Sequence, residues 1–191
     1  QLSYFKQTKA WLIVAVISIG TGGLFSWITY ISPMVTKVGG LQEDRVPFIM
    51  VLVGLGMFIG NILGGKLADT ISPTKAAIAC FTTMALTLVT VYFTAHITSL
   101  AYIMAFVTGM VAFTIGSPLQ MMLITSAKGS ENIAAAGGQA SFNIGNTLGA
   151  YLGGIPITIG YAYNSPVLVG VGMAGIGAML ATIYLKKFLV R

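Results

Sequence analysis

Uncharged, largely hydrophobic residues fill four long stretches of the chain: Ala10 to Thr36, Val46 to Gly65, Ala76 to Ala127 (interrupted only by His96), and Asn132 to Leu185. A membrane-spanning helix needs roughly 20 apolar residues. The first two stretches therefore hold one span each, and the last two are long enough for two spans and a turn. Local breaks agree with that division. His96-Ile97-Thr98-Ser99 splits the third stretch, and Tyr163-Asn164-Ser165-Pro166 splits the fourth with turn residues, a serine N-cap and a proline at the first helical position. The pattern predicts six spans near residues 11–35, 46–68, 73–95, 98–124, 134–160 and 166–186.

Composition places these helices in lipid. The 191 residues are 56% hydrophobic and only 7% charged, with a mean hydropathy of +0.90; ordinary soluble domains carry about 25% charged residues. The fold class expected is an all-α, multi-pass membrane protein. Basic residues accumulate on the cytoplasmic side of short loops. Lys6, Lys9, Lys66, Lys75, Lys128, Lys186, Lys187 and Arg191 fall on one side, against Lys37 and Arg45 on the other, so both termini are expected in the cytoplasm. That bias accounts for the net charge of +6, and the scatter of basic residues at membrane edges gives no support to nucleic-acid binding. Cys80 is the single cysteine, so no disulfide or metal framework can be built from cysteines. The chain starts at Gln1 with no cleavable signal pattern, and Gln1 to Lys9 reads as the end of a cytoplasmic linker in something longer.

An internal repeat runs through the chain. "FIGNILGGKLA" at Phe58 and "FNIGNTLGAYLGG" at Phe142 overlay with a shift of 85, and six of the nine residues from Ile59 to Leu67 recur between Ile144 and Leu152. The same shift carries Thr29, Ser32 and Pro33 onto Thr114, Ser117 and Pro118. Ser72-Pro73 and Ser165-Pro166 echo each other with a shift of 93. Residues 1–191 thus read as one unit made of two three-helix repeats, about 10–95 and 96–187. Because three is odd, the second repeat enters the membrane from the opposite side, the inverted topology from which transporters are built.

Helix association in lipid depends on small residues that let backbones approach. Gly56, Gly60, Gly64 and Ala68 form one row at every fourth position of the second span. Ser141, Gly145, Gly149 and Gly153 form the matching row in the fifth. These rows are expected to pack against the first and fourth spans or against a partner bundle. Asn61 and Asn146 sit beside the rows and are read with them as packing residues. An unpaired amide in hydrocarbon costs roughly 2 to 7 kcal/mol, so each must face protein or water. Gln139, Asn143, Asn146 and Ala150 follow spacings of 4, 3 and 4, a stripe on one side of the fifth span that can line a cavity or bind a neighbouring helix. Gln139 and Asn143 are the cavity candidates.

Two stretches carry a family resemblance. "GGKLADTISPTK", after the second span, resembles the Gly-x-Leu-Ala-Asp loop of the major facilitator superfamily, with Gly65, Leu67, Ala68 and Asp69 in the matching places. "FNIGNTLGAYLGG" is similar to the penultimate helix of its drug/proton antiporter branch, the arabinose-efflux-permease-like members especially. The chain resembles the second six-helix half of such a twelve-span transporter. The loop departs from the family where arginines are usual: Thr70, Ser72, Pro73 and Thr74 stand there and Lys75 is the one basic residue.

The resemblance implies a bacterial-type cytoplasmic (inner) membrane, a small-molecule substrate, and an N-terminal six-helix half, covalent or as another chain. It implies alternating access, with proton-coupled efflux of a sugar, drug or purine-like compound, and no cofactor other than protons as the coupling ion. It makes Gly65, Asp69 and Lys75 a gating loop whose aspartate meets the other half. The first and fourth spans would surround the central cavity, offering Ser18, Thr21, Phe25, Thr29 and Ser32 from one, and Thr108, Phe113, Thr114 and Gln120 near Pro118 from the other. These hydroxyl and aromatic groups suit an uncharged or weakly polar solute. The predicted spans hold no acidic residue, so a proton carrier, which in a span is a costly buried carboxylate, is expected in the other half. His96 falls on an external turn.

Other six-span classes fit less well. Gly116-Ser117-Pro118 lacks the setting of a serine nucleophile, and His96 is on a turn rather than a span. No paired half-helix motif suggests a channel. A membrane scaffold or subunit that pairs with another chain without transporting is the remaining alternative, and amide stripes beside glycine rows argue against it. The reading is of a transporter rather than an enzyme.

Overall fold

The computed structural model describes residues 5–189, so Gln1 to Tyr4 of the expected linker and the basic Arg191 lie outside it. Among the described residues the regular structure is entirely helical: α1 (Thr8–Gly20), α2 (Gly22–Ile28), α3 (Ile31–Pro33), a π turn (Met34–Val38), a 3₁₀ turn (Glu43–Arg45), α4 (Val46–Thr70), α5 (Pro73–Thr94), α6 (Thr98–Thr114), α7 (Gly116–Ser126), α8 (Glu131–Thr158) and α9 (Ser165–Phe188). Five helical stretches are long and apolar enough to cross a membrane: Thr8–Ile28, Glu43–Thr70, Pro73–Thr94, Thr98–Ser126 and Ser165–Phe188. The chain is an integral membrane protein. Six spans were expected. The remaining helix, α8, has 28 residues, about 42 Å at 1.5 Å per residue, but its amides and glycines keep it out of the apolar class.

Proline and glycine set the helix ends. Pro47, Pro73 and Pro166 sit in the first turns of α4, α5 and α9, where a missing N–H costs nothing. Ser72 precedes Pro73 and is extended (ψ 131°), as the proline ring requires, which ends α4. It is the N-cap of α5 but makes no capping hydrogen bond. The serine cap expected at Ser165 is not formed. Asn164 is the N-cap instead, Ser165 is already helical, and its buried hydroxyl has no partner. At the far end of α8, Gly160 takes φ 95°. Its N–H reaches Ile157 and that of Tyr161 reaches Pro156, each at 3.0 Å, which closes the helix. In the α7–α8 turn the Gly129 N–H donates to Glu131 at 2.8 Å and holds that carboxyl below its usual range.

The first and fourth spans, expected as single helices, are both broken. Thr29 and Thr114 donate their hydroxyls to the carbonyls of Phe25 and Met110, at 2.7 and 2.8 Å. Helicity lapses at Thr29–Tyr30 and at Ile115. In each case a proline follows four residues after the threonine, Pro33 and Pro118. It removes the N–H that the threonine carbonyl would accept, and the back-bonded hydroxyl favours the bend. A further break at Thr21 separates α1 from α2, where Thr21 donates to Ile17 at 2.7 Å.

Apart from α9, which also lies along α1 and α2, the helices pack in pairs: α4 on α6, α8 on α1 and α2, and α5 on α9. In order of the predicted spans these are second on fourth, fifth on first and third on sixth, a set that stays the same when the two halves of the chain exchange places. Glycine determines the close pairs. A β-carbon at Gly56, Gly60 or Gly64 would strike the carbonyls of Phe106, Met110 or Thr114. Added at Gly149 it would meet Phe25 Cβ and Ser26 N at 2.9 Å, at Gly145 the Ser18 carbonyl at 3.0 Å, and at Gly153 Ser26 at 3.2 Å. The first span is central, 61% buried over its most apolar window. The second is 22% buried and turns Phe48, Val51, Leu55, Phe58 and Ile62 outward. Trp27, Ile13, Ile17, Leu88 and Leu119 fill the interior.

Candidate functional site

The broken first and fourth spans border, with α4, α5 and α8, a half-open cavity of about 290 Å³. Gly20, Thr21, Leu24 and Phe25 line it from the first span, and Val111, Ala112, Phe113, Ile115 and Gly116 from the fourth. Helix α8 contributes Gln139, Phe142 and Asn143, α4 contributes Asn61, and α5 contributes Phe81 and Met84. Among these lining residues no side chain is charged. Aromatic rings and aliphatic groups make most of the wall.

Of the candidates from sequence, Thr21, Phe25, Phe113, Gln139 and Asn143 meet at this cavity. Ser18, Thr108 and Thr114 do not line it. Ser18 and Thr108 are buried with hydroxyls that have no hydrogen-bond partner among the described residues, and Thr114 donates to its own helix. Thr21 also spends its proton on its own helix, so its oxygen can accept but not donate.

Asn61 is the residue that sequence reasoning placed elsewhere. Successive residues of a helix turn by about 100°. Gly60 and Gly64 therefore press on α6 while Asn61, next in the chain, turns into the cavity. The available signal was an amide in an apolar span, the same one that singled out Gln139 and Asn143. Asn146, also read as packing, is exposed, lies off the cavity and takes no part in the contacts made by Gly145.

The side chains of Asn61, Gln139 and Asn143 have no hydrogen-bond partner among the described residues. All three residues are exposed, and an amide that faces hydrocarbon without a partner costs roughly 2 to 7 kcal/mol. In a membrane these three need water, a solute or further protein, and they present both donors and acceptors to it. The arrangement offers hydrogen-bonding and stacking groups to a solute. It has no nucleophile–base pair, and no group of three or more possible metal-ligating side chains occurs among the described residues.

The loop candidates lie outside the cavity. Asp69 is exposed in the last turn of α4 and Lys75 is exposed in the first turn of α5. Among the described residues Asp69 makes no ion pair. Gly65 is open, with nothing within 4 Å of the position of a β-carbon. His96 is exposed in the turn after α5.

No protein-family model matches the chain. It is 38% identical over 164 residues to the putative transporter AraJ of Escherichia coli (strain K12), covering 86% of this chain and 42% of that protein. It is 31% identical over 186 residues to the uncharacterized MFS-type transporter YtbD of Bacillus subtilis (strain 168), covering 95% of this chain and 46% of that protein. The chain belongs to the major facilitator superfamily. A more distant relative, 25% identical over 166 residues with 84% and 41% covered, is a probable sugar efflux transporter of Haemophilus influenzae (strain PittGG). The chain spans less than half the length of each of these superfamily relatives. The cavity therefore belongs to a major facilitator sequence that accounts for part of such a protein.

Proposed function

We propose that this chain is the C-terminal six-helix half of a transporter that moves a small, uncharged or weakly polar solute across the membrane by alternating access. In this reading α8 crosses the membrane as the fifth of six spans, and both termini are cytoplasmic. The other six helices come from the rest of the same protein or from a second chain. The observation that carries the proposal is that three exposed amides from two helices, Asn61, Gln139 and Asn143, meet on the wall of one otherwise apolar cavity. A non-transporting scaffold has no need of them.

The shift of 85 and the exchangeable pairing of helices support the inverted repeat. Aromatic rings with amides fit a sugar, drug or purine-like compound, held by stacking and hydrogen bonds, and the name of the sugar efflux relative favours the first and the outward direction. The lining residues of this half include no carboxylate, so a coupling proton is carried by the other half. Asp69, exposed and without an ion pair among the described residues, is available to that half as a gate contact.

Everted membrane vesicles from cells producing the full-length protein provide the test. An imposed pH gradient should drive accumulation of labelled pentose or hexose, and Asn143→Ala should change which sugars compete while the amount of protein in the membrane stays level. Accumulation that survives collapse of the pH gradient would remove the proton coupling. Absence of uptake for sugars and neutral antibiotics alike would favour the scaffold.

A further inference from the structure

Phe81 and Met84 belong to α5, whose packing partner is α9, yet both reach the cavity wall. Glycine makes the passage. A β-carbon at Gly20 would fall on the tip of the Phe81 ring, at Cζ and Cε1, and one at Gly177 would lie 3.3 Å from Cδ1 and Cε1. Gly20 itself lines the cavity. The ring therefore lies beneath the backbone of the first span, one residue before its break at Thr21, against two residues that have no side chains. It is 1% exposed, so it presents no more than an edge and fills the space into which the cavity would otherwise continue.

We propose that Phe81 sets the depth of the cavity and with it the largest solute the cavity accepts, making it a specificity-determining residue on a span packed chiefly against α9. The assignment rests on reading the cavity as the solute site. Two physical points carry it. A large-to-small change leaves a void to the extent that the neighbours cannot collapse, and Gly20 and Gly177 have no side chains to swing inward. An apolar void of about 150 Å³ stays dry and admits a benzene-sized group. Truncating the ring should thus open an apolar annex continuous with the cavity, next to Met84, which is 4% exposed on the same face of α5.

The experiment uses the full-length protein with Cys80→Ala, carrying a reporter thiol at either Met84→Cys or Asn143→Cys. The probes are methyl methanethiosulfonate and its benzyl analogue, and the readout is the ratio of their labelling rates. Asn143→Cys should take both reagents. At Met84→Cys the benzyl reagent should be about tenfold slower than the methyl one, the factor that modest overpacking gives. Adding Phe81→Ala, or Phe81→Leu where alanine impairs folding, should remove most of that difference at Met84→Cys and leave the ratio at Asn143→Cys unchanged. A ratio at Met84→Cys that neither variant moves overturns the depth role and leaves the cavity standing. Failure of the methyl reagent at Asn143→Cys overturns the cavity reading, and the role of Phe81 with it.

Discussion

Gly64 lies directly against the carbonyl of Thr114, the carbonyl that Pro118 leaves without a helical donor. The bend in the fourth span and the glycine row of the second are thus one feature. The two backbones come this close because no β-carbon separates them. Gly149, its counterpart in the repeat, packs instead on Gly22, Phe25 and Ser26 of the first span, ahead of the break.

Valine at either glycine should therefore be poorly tolerated. Overpacking costs about 1 to 3 kcal/mol or more, so Gly64→Val and Gly149→Val should each lower the melting temperature in detergent. Gly65→Val is the control: it changes the adjacent residue in the same helix, where nothing lies within 4 Å of the new β-carbon. Equal destabilisation at positions 64 and 65 would show that helix propensity, rather than backbone contact, is responsible.

Tyr30 ties the kink of the first span to α8, its hydroxyl donating to the Ala150 carbonyl at 2.8 Å across the pair. Tyr30→Phe removes one interhelical hydrogen bond, worth about 0.6 kcal/mol on average in membrane proteins. A small drop in melting temperature is expected, well below that of Gly149→Val. A loss as large as the glycine variant's would mean that the bond organises the whole kink.

The parts of the fold legible in the sequence are those set by periodicity. Glycines at every fourth position gave the packing rows, and the spacing of Gln139 and Asn143 gave their shared stripe. The breaks at Tyr30 and Ile115 left their trace in the repeated threonine, serine and proline, but where helicity lapses depends on hydrogen bonds that spacing alone does not reveal. Asn61 was visible as an amide and was assigned to packing because its glycine neighbours were so regular. Phe81 was illegible: its place in the cavity depends on Gly20 and Gly177, which are distant in sequence and belong to other spans.

Among the described residues Asp69 makes no ion pair that could be lost, so Asp69→Asn in the full-length protein should leave insertion and abundance near normal and reduce transport. Quantifying protein by immunoblot beside uptake by vesicles separates the two. Transport at the parent level would return Asp69 to the role of a solvated carboxylate at a helix end.

Cysteine labels also decide the topology. In a Cys80→Ala chain, thiols at His96→Cys and Asn164→Cys should react with an impermeant reagent applied to intact cells, and Ser130→Cys only after permeabilisation. The reverse pattern would invert the orientation drawn from the basic residues. Labelling of Ser130→Cys and Asn164→Cys from the same side would show that α8 does not cross.

The central claim, that the cavity bounded by Asn61, Gln139 and Asn143 is the path of the solute, is tested most directly at Asn143→Cys in the Cys80→Ala full-length protein. The measurement is the labelling rate with an impermeant thiol reagent from each face of the membrane, in intact cells and in everted vesicles, followed by uptake after labelling. Alternating access predicts that the thiol reacts from both faces and that its modification stops transport. Reaction from neither face, or full transport after complete modification, would contradict the account.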